Sequence, residues 1–370
     1  MSSDVSIDRG VGGIIAEVSR DFRRNEIEPV ALELDERYDP ARVKAIWNKS
    51  LDLDLPSMLV PEEFGGVGHS ALTAAQVLEE IAGACAGVAV LFACHLVACM
   101  PIVACGQTKA EFLAALAGEG GKEPIMVTLA FPETYEAPDR PRLQERNGEL
   151  LLEGSARLVA CVSLADNLVV FAEDAGGVTP VFVDLRVPGV AVDEPEALLG
   201  LHTVPFCDVT FDAYKPMTED VLGERGGGAP VLEKTLEVLH GFLAAIAMGT
   251  ARSAHEAAYR YAQERFQFGK MLIQHDEIRR MLSNMIKKME MGTAGYQQAL
   301  AGERPDVPTT GRGCAHAKVF CTDAALQIVL DSIQIHGGYG YMKETGLEKM
   351  MRDAKMLQLL GGSNRLLEVR

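Results

Sequence analysis

The chain has 370 residues, more than one hydrophobic core usually supports, so two or three packed units are expected. Hydrophobic residues make up 48% of the chain and charged residues 24%, a balance that excludes a disordered or collagen-like protein. The formal net charge of −17 repels phosphate backbones and anionic lipid, which argues against nucleic acid as a partner.

The cysteines and the apolar segments indicate where the protein resides. Eight cysteines are scattered among apolar neighbours without a CxxC pair, which predicts reduced core residues and no metal site. The N-terminus MSSDVSIDRG has no apolar signal core, which predicts a cytoplasmic location. The longest apolar stretch, Ala84 to Cys105, contains His95 and Pro101 and predicts a buried helix rather than a membrane span.

Hydrophobic periodicity divides the chain into three units. Apolar residues recur at three and four positions from Gly13 to about Glu119, which predicts helices. Short β-branched runs such as Asn167 to Phe171 and Val178 to Val183 then predict an antiparallel β unit. Helical periodicity resumes after a glycine-rich segment. We therefore predict an α+β fold with a helical domain over 1–122, a β domain over 123–228 and a helical domain over 229–370.

One candidate ligand motif follows the first long helix of the third unit, Arg265-Phe266-Gln267-Phe268-Gly269-Lys270. An arginine and an amide two residues apart beside a glycine can hold a phosphate diester. A capped helix end with solvated charges is the simpler interpretation, and by itself the motif favours it.

A second candidate motif closes a later helix, Gln334-Ile335-His336-Gly337-Gly338-Tyr339-Gly340-Tyr341. Paired glycines let a backbone approach a ligand, and Gln334 offers both a donor and an acceptor to an adenine or phosphate edge. The alternative is an ordinary glycine-terminated turn, in which His336 is a packed or capping imidazole.

Four motifs in order resemble the acyl-CoA dehydrogenase family over nearly the whole chain. They are the two motifs above, Arg352-Asp353-Ala354 after them, and N-terminal segments including Leu59 to Gly68 and Leu78 to Ala82. The resemblance implies an N-terminal helical domain, a middle β-barrel domain and a C-terminal four-helix bundle. It also implies FAD bound between the subunits of a dimer of dimers.

The resemblance further implies a chemistry and its partners. In the family a glutamate takes the α proton of an acyl-CoA, the β hydrogen passes as hydride to the flavin, and electron-transferring flavoprotein accepts the electrons. It also assigns contacts with the FAD of the neighbouring subunit to Arg265, Gln267, Phe268, Gln334, Gly337 and Gly338.

The sequence departs from the family at the catalytic base. The two positions at which members carry the glutamate correspond to Gly361 and Leu239, so neither offers a carboxylate. His95, in the apolar helix, is a weak candidate base, and a core histidine with satisfied hydrogen bonds is the favoured alternative. Glu237 and His240 fall where members contact substrate or pantetheine, and both are otherwise ordinary polar residues of a helix.

The flavin-facing segments depart as well. Residues Ala130 to Glu136 keep only Pro132 of the family's TEPxxGSD segment, and Leu158-Val159-Ala160 replaces Trp-Ile-Thr. The chain thus keeps the contacts given to a neighbour's FAD and lacks those for its own flavin. We therefore predict the supporting subunit of a heteromeric dehydrogenase with a second acyl-CoA dehydrogenase-like subunit.

Two alternatives to the supporting subunit remain open. One is a self-sufficient homotetrameric FAD enzyme with an atypical base or reaction, such as decarboxylation, desulfination or enoyl-CoA reduction. The other is a non-enzymatic acyl-CoA-binding protein. Flavin bound by the chain alone favours the first, and absence of flavin under every condition favours the second.

Overall fold

The structure is a computed structural model that describes residues 15–104, 109–116, 125–131, 139–301 and 312–369. Its N-terminal region is helical, as predicted. The helices are α1 (Ala31–Glu36), α2 (Pro40–Leu51), α3 (Ala71–Ala82), α4 (Ala86–Ala104) and α5 (Ala110–Leu116). Local sequence sets their starts: the Asp39 carboxylate accepts the N–H groups of Ala41 and Arg42 at the start of α2, and the Ser70 hydroxyl accepts that of Thr73 in α3.

The middle region is a single seven-stranded sheet. Its strands are β1 (Val127–Ala130), β2 (Arg142–Arg146), β3 (Glu149–Ala160), β4 (Asn167–Asp174), β5 (Gly177–Asp184), β6 (Val190–Val192) and β7 (Phe206–Tyr214). The order is β1-β4-β2-β3-β7-β6, with β5 paired to β4. The sheet is mixed rather than wholly antiparallel, because β1 runs parallel to β4. Where the resemblance implied a barrel, no ladder among the described strands joins β6 back to β1.

The C-terminal region is a helical bundle, as predicted. Its helices are α6 (Ala229–Glu264), α7 (Asp276–Leu300), α8 (Gly313–His336), α9 (Leu347–Leu357) and α10 (Asn364–Val369). Helix α6 packs against both α8 and α7. A hairpin of β8 (Phe266–Gln267) and β9 (Lys270–Met271) interrupts the chain between α6 and α7. The exact domain boundaries stay a prediction.

Helix α4 is the centre of the molecule. It is long and apolar enough to cross a membrane, but 94% of its most apolar window is buried inside the fold. It packs against α6 and β1, and its residues belong to a core that joins both helical regions to the sheet. This burial agrees with the predicted core helix.

Candidate functional site

The first ligand motif forms the β8–β9 hairpin rather than a simple helix cap. Arg265 leaves α6 with extended backbone angles, and Phe268 and Gly269 form the turn with φ of +51° and +83°. Two consecutive positive φ values give the tight turn that matches the twist of a hairpin. Phe268, 92% exposed, therefore projects away from the chain into solvent.

The fold brings the two ligand motifs together around one cleft of about 700 Å³. Arg265 and Gln267 line it from the hairpin, and Gly337 and Gly338 line it from the end of α8. Gln334 is not among the lining residues. Its side chain is exposed, and its carbonyl accepts the Gly337 N–H. Four of the six predicted cofactor residues thus share this cleft, and Phe268 stands beside it.

The cleft suits the pyrophosphate and adenine end of FAD. Gly337 adopts a φ of +59°, and a Cβ built at Gly337 or Gly338 meets no heavy atom within 4 Å. The backbone is therefore open to a ligand, and the Arg265 guanidinium lines the same cleft with five N–H donors for phosphate oxygens. These residues fit the cofactor that the resemblance implies.

The cleft also has an aromatic wall that sequence reasoning missed. The rings of Tyr261 and His336 stack with centroids 4.4 Å apart and an interplanar angle of 24°. The Tyr339 ring lies 5.8 Å from the Arg265 guanidinium carbon. Sequence proximity offered a signal for one of them, because Tyr261 precedes Arg265 by four residues and its carbonyl accepts the Arg265 N–H at the end of α6.

The two family positions for the catalytic base lie against each other. Gly361 has a φ of +69°, and a Cβ built there comes within 2.9 Å of Leu239 Cδ2 and 3.2 Å of Leu243 Cδ1. Both leucines are fully buried. The site therefore contains no carboxylate at either position, and the leucine side chains occupy the space that one at position 361 would need.

The loop that carries Gly361 is held by two buried side chains. His240 Nε2 donates to the Gly361 carbonyl at 2.6 Å. Lys318 Nζ donates to the carbonyls of Gln358 and Gly362 at 3.0 and 2.7 Å, and to Asn364 Oδ1 at 2.8 Å. The loop thus keeps a defined shape without a catalytic residue on it.

His240 is buried and neutral. Desolvation lowers the pKa of its imidazole to about 4. Its Nδ1 has no hydrogen-bond partner in the part of the chain that the structure describes. His240 is thus a titratable group beside the position at which the family carries its base. Its contact with substrate stays a prediction.

Glu237 has a structural role in this geometry. Its buried carboxylate accepts the Cys314 N–H at 2.7 Å, in the first turn of α8. A carboxylate at a helix N-terminus satisfies an otherwise unpaired donor and interacts favourably with the helix dipole. Glu237 therefore points away from Leu239 toward α8, and the geometry favours a cap over the predicted substrate contact.

Both ring nitrogens of His95, the weak candidate base, are hydrogen-bonded inside the core. Its Nε2 donates to the Pro56 carbonyl at 3.1 Å, and its Nδ1 accepts the Val127 N–H at 3.2 Å. Desolvation lowers its pKa to about 4. With both ring nitrogens bonded inside the core, it links α4 to the sheet, which is the structural alternative.

The segment that replaces Trp-Ile-Thr belongs to the sheet. A bulge between Ala156 and Val159 gives Leu158 a φ of +50°, and the Leu158 N–H donates to Asp208. Ala160 is buried, and its carbonyl accepts the Thr128 hydroxyl at 2.7 Å. No side chain at 158 or 160 carries a polar group for a flavin ring.

The other flavin-facing segment is placed only in part. Ala130 and Phe131 are buried. Residues Pro132 to Glu136 lie outside the described residues.

Within the described ranges, no group of three or more His, Cys, Asp or Glu is arranged to hold a metal ion.

Comparison with known proteins identifies the family. The profile for "Acyl-CoA dehydrogenase, N-terminal domain" matches residues 14–119, and that for "Acyl-CoA dehydrogenase, C-terminal domain" matches residues 226–368. The chain therefore belongs to the acyl-CoA dehydrogenase family. As a member it is an oxidoreductase of the class that acts on CH–CH bonds, and its cofactor is FAD.

Individual relatives agree with this assignment. The chain is 30% identical over 368 residues to cyclohex-1-ene-1-carbonyl-CoA dehydrogenase of Syntrophus aciditrophicus, covering 95% of this chain and 87% of that protein. It is 31% identical over 363 residues to an acyl-CoA dehydrogenase of Bacillus subtilis, covering 94% of this chain and 93% of that protein.

Solved structures share the fold. Butyryl-CoA dehydrogenase of Megasphaera elsdenii matches with a TM-score of 0.89 and 26% identity, covering 100% of this chain and 98% of that one. An acyl-CoA dehydrogenase of Bacillus anthracis complexed with FAD matches with a TM-score of 0.86 and 25% identity. The match covers 97% of this chain and 65% of that one.

Proposed function

We propose that this chain is the supporting subunit of a heteromeric FAD-dependent acyl-CoA dehydrogenase. The observation that carries the proposal is the base site, where Gly361 stands against Leu239 without a carboxylate at either position. A dehydrogenase needs a positioned base to take the α proton of the thioester. This chain would therefore contribute little chemistry of its own.

The cleft provides the evidence that this chain can still contact FAD. Arg265, Gln267 and the open backbone at Gly337 and Gly338 remain available to a dinucleotide. Phe268, exposed at the hairpin tip beside them, suits a neighbouring subunit. When bound, FAD supplies the hydride acceptor, and this chain's residues would hold its pyrophosphate and adenine end for the partner.

The remaining parts of the proposal concern substrate, partners and location. Two relatives are named as dehydrogenases of a cyclic enoyl-CoA and another as a 3-(aryl)acrylate reductase. The first two names support an acyl-CoA thioester as substrate of the assembly, and the third names reduction of an acrylate. We further propose a second acyl-CoA dehydrogenase-like subunit as partner, electron-transferring flavoprotein as electron acceptor, and a cytoplasmic location.

Flavin quantitation tests the proposal. The protein is purified alone and after co-expression with a candidate partner subunit, and FAD per chain is measured from visible absorption. We expect FAD only in the assembly, at about half occupancy per chain. Near-stoichiometric FAD on the protein alone would refute the supporting role. Absence of FAD from both preparations would instead favour a non-enzymatic acyl-CoA-binding protein.

Two arginine variants locate the contribution of this chain. Arg265→Ala should strip FAD from the assembly, and Arg265→Lys should restore it only in part, because an ammonium lacks the bidentate fork. Arg279→Ala is the matched control, since Arg279 is an exposed arginine of α7 that pairs with Asp276. Equal FAD content in all three assemblies would show that the cleft does not hold the cofactor.

A second candidate function is a self-sufficient enzyme with an atypical base. The observation in its favour is His240, whose Nδ1 lacks a partner among the described residues while its Nε2 is fixed on Gly361. It predicts that the lone chain binds FAD, that an acyl-CoA bleaches the flavin absorption, and that His240→Gln abolishes the bleaching. A lone chain without FAD excludes it.

A further inference from the structure

The cleft contains a polar atom that binding of phosphate does not use, Nε2 of His336. The other ring nitrogen, Nδ1, lies 2.8 Å from the carbonyl oxygen of Ser332, one turn earlier in α8. A carbonyl only accepts hydrogen bonds, so Nδ1 carries the hydrogen and Nε2 of the neutral ring is a bare acceptor. Nε2 has no partner in the described part of the chain, and His336 lines the cleft.

The imidazole cannot readily exchange these roles. Moving the hydrogen to Nε2 would set the Nδ1 lone pair against the Ser332 carbonyl oxygen, which loses a hydrogen bond in a buried place. Stacking on Tyr261 at 4.4 Å also restricts rotation of the ring. His336 therefore presents a fixed acceptor to whatever occupies the cleft.

The surroundings indicate which part of a dinucleotide meets this acceptor. Tyr261, His336 and the 54% exposed Tyr339 form an aromatic wall that a planar base can contact. Arg265, at the edge of that wall, offers its charge to a phosphate. The Tyr339 ring is tilted by 53° from Tyr261, whereas the imidazole is tilted by only 24°. A base stacked on Tyr339 with its phosphates toward Arg265 would therefore be inclined to the imidazole and would meet Nε2 with an edge rather than a face.

We propose that His336 reads the exocyclic amino group of the adenine in FAD. Adenine carries an N–H donor at that position, which pairs with the Nε2 acceptor. Hypoxanthine carries an oxygen there, so two acceptors would face each other. A site built around one hydrogen bond rejects the analogue that cannot make it. The inference rests on the proposed assignment of this cleft to the FAD of the partner subunit.

Binding of two nucleotides tests the inference without reference to activity. Dissociation constants of ADP and IDP are measured by calorimetry on the FAD-free protein, alone and assembled with its partner, at a pH where imidazole is neutral. We expect ADP to bind about tenfold more tightly than IDP. The purine ribonucleoside diphosphate, which lacks the amino group, should bind as weakly as IDP.

Variants separate the role of the imidazole from its packing. His336→Leu should bring the IDP to ADP ratio close to one. His255→Leu, a histidine of α6 outside the cleft lining, should leave the ratio at its wild-type value. If the leucine variant at 336 does not fold, the three-nucleotide series on the wild-type protein decides alone.

Equal affinities for ADP and IDP, a preference that persists in His336→Leu, or no binding of either nucleotide to the assembly each overturns the inference. Failure of the supporting-subunit proposal is a separate result, because it is read from the FAD content of the lone chain. A lone chain that binds FAD and still prefers ADP refutes the subunit role and retains the role of His336.

Discussion

Replacing Gly361 with alanine tests whether the base position is closed. The φ of +69° costs a residue with a Cβ about 1–2 kcal/mol. The new methyl group would also stand 2.9 Å from Leu239 Cδ2 and 3.2 Å from Leu243 Cδ1, and overpacking of this kind costs about 1–3 kcal/mol. We therefore expect Gly361→Ala to lower the free energy of unfolding by about 2–5 kcal/mol.

Leu239→Ala alone should cost about 2–5 kcal/mol, because it leaves a cavity in a fully buried place. In the double variant the clash is gone and the new methyl group fills part of that cavity. The double variant should therefore be more stable than the sum of the single changes predicts, by about 1–3 kcal/mol.

Urea unfolding of the wild type, both single variants and the double variant measures this coupling. The matched control is Gly148→Ala, at a φ of +79° with no heavy atom within 4 Å of a built Cβ. Gly148→Ala has only the cost of the positive φ, without a steric clash. Its effect on the free energy of unfolding should therefore add to that of Leu239→Ala. Additivity within about 0.5 kcal/mol for the Gly361 and Leu239 pair would refute the closed site.

Three further predictions concern the supports of the site. Lys318→Met should cost about 1–3 kcal/mol in urea unfolding for each buried acceptor that it leaves without a donor. It should also speed amide exchange in the 358–364 loop, and unchanged exchange would contradict the reasoning. The lowered pKa of His95 should contribute stability that is complete above pH 6.5 and falls as pH drops toward 4, by up to about 1.4 kcal/mol per pH unit. Buried His240 contributes a similar slope in the same window, so His95→Gln should reduce the total slope by about half, and an unchanged slope would contradict the reasoning. Glu237→Ala should lower the free energy of unfolding by about 1–3 kcal/mol and leave the affinity for acyl-CoA unchanged. Weaker binding of acyl-CoA by this variant would instead support the predicted contact between Glu237 and substrate.

The sequence predicted those features that are local. Helical periodicity identified the first and third regions, short β-branched runs identified the middle one, and the glycines of the second motif indicated an open backbone at Gly337. Helix geometry also placed Glu237 on a different face from Leu239, as the structure shows. The partner of that carboxylate was not predictable, because Cys314 lies 77 residues away and only the packing of α8 on α6 brings it near.

The crowding at Gly361 and the fixed acceptor of His336 were beyond sequence reasoning for a related reason. The first depends on how α6 lies against a loop 121 residues later. The second depends on which ring nitrogen meets the Ser332 carbonyl, although helical spacing of four places that carbonyl within reach. Both features depend on how side chains are placed in the folded backbone, and composition and periodicity do not predict that placement.

Helix α8 explains how the cleft persists without the base. Its first turn is capped by Glu237 from α6, and the Ser332 hydroxyl donates to the Ala254 carbonyl of α6 at 2.8 Å near its end. Between these points Lys318 fixes the loop that carries Gly361. The Gly337 side of the cleft begins where this clamped helix ends, so its geometry depends on α6 and α8 rather than on the residue at 361. The proposed supporting role therefore requires no change in the cleft when position 361 carries no carboxylate.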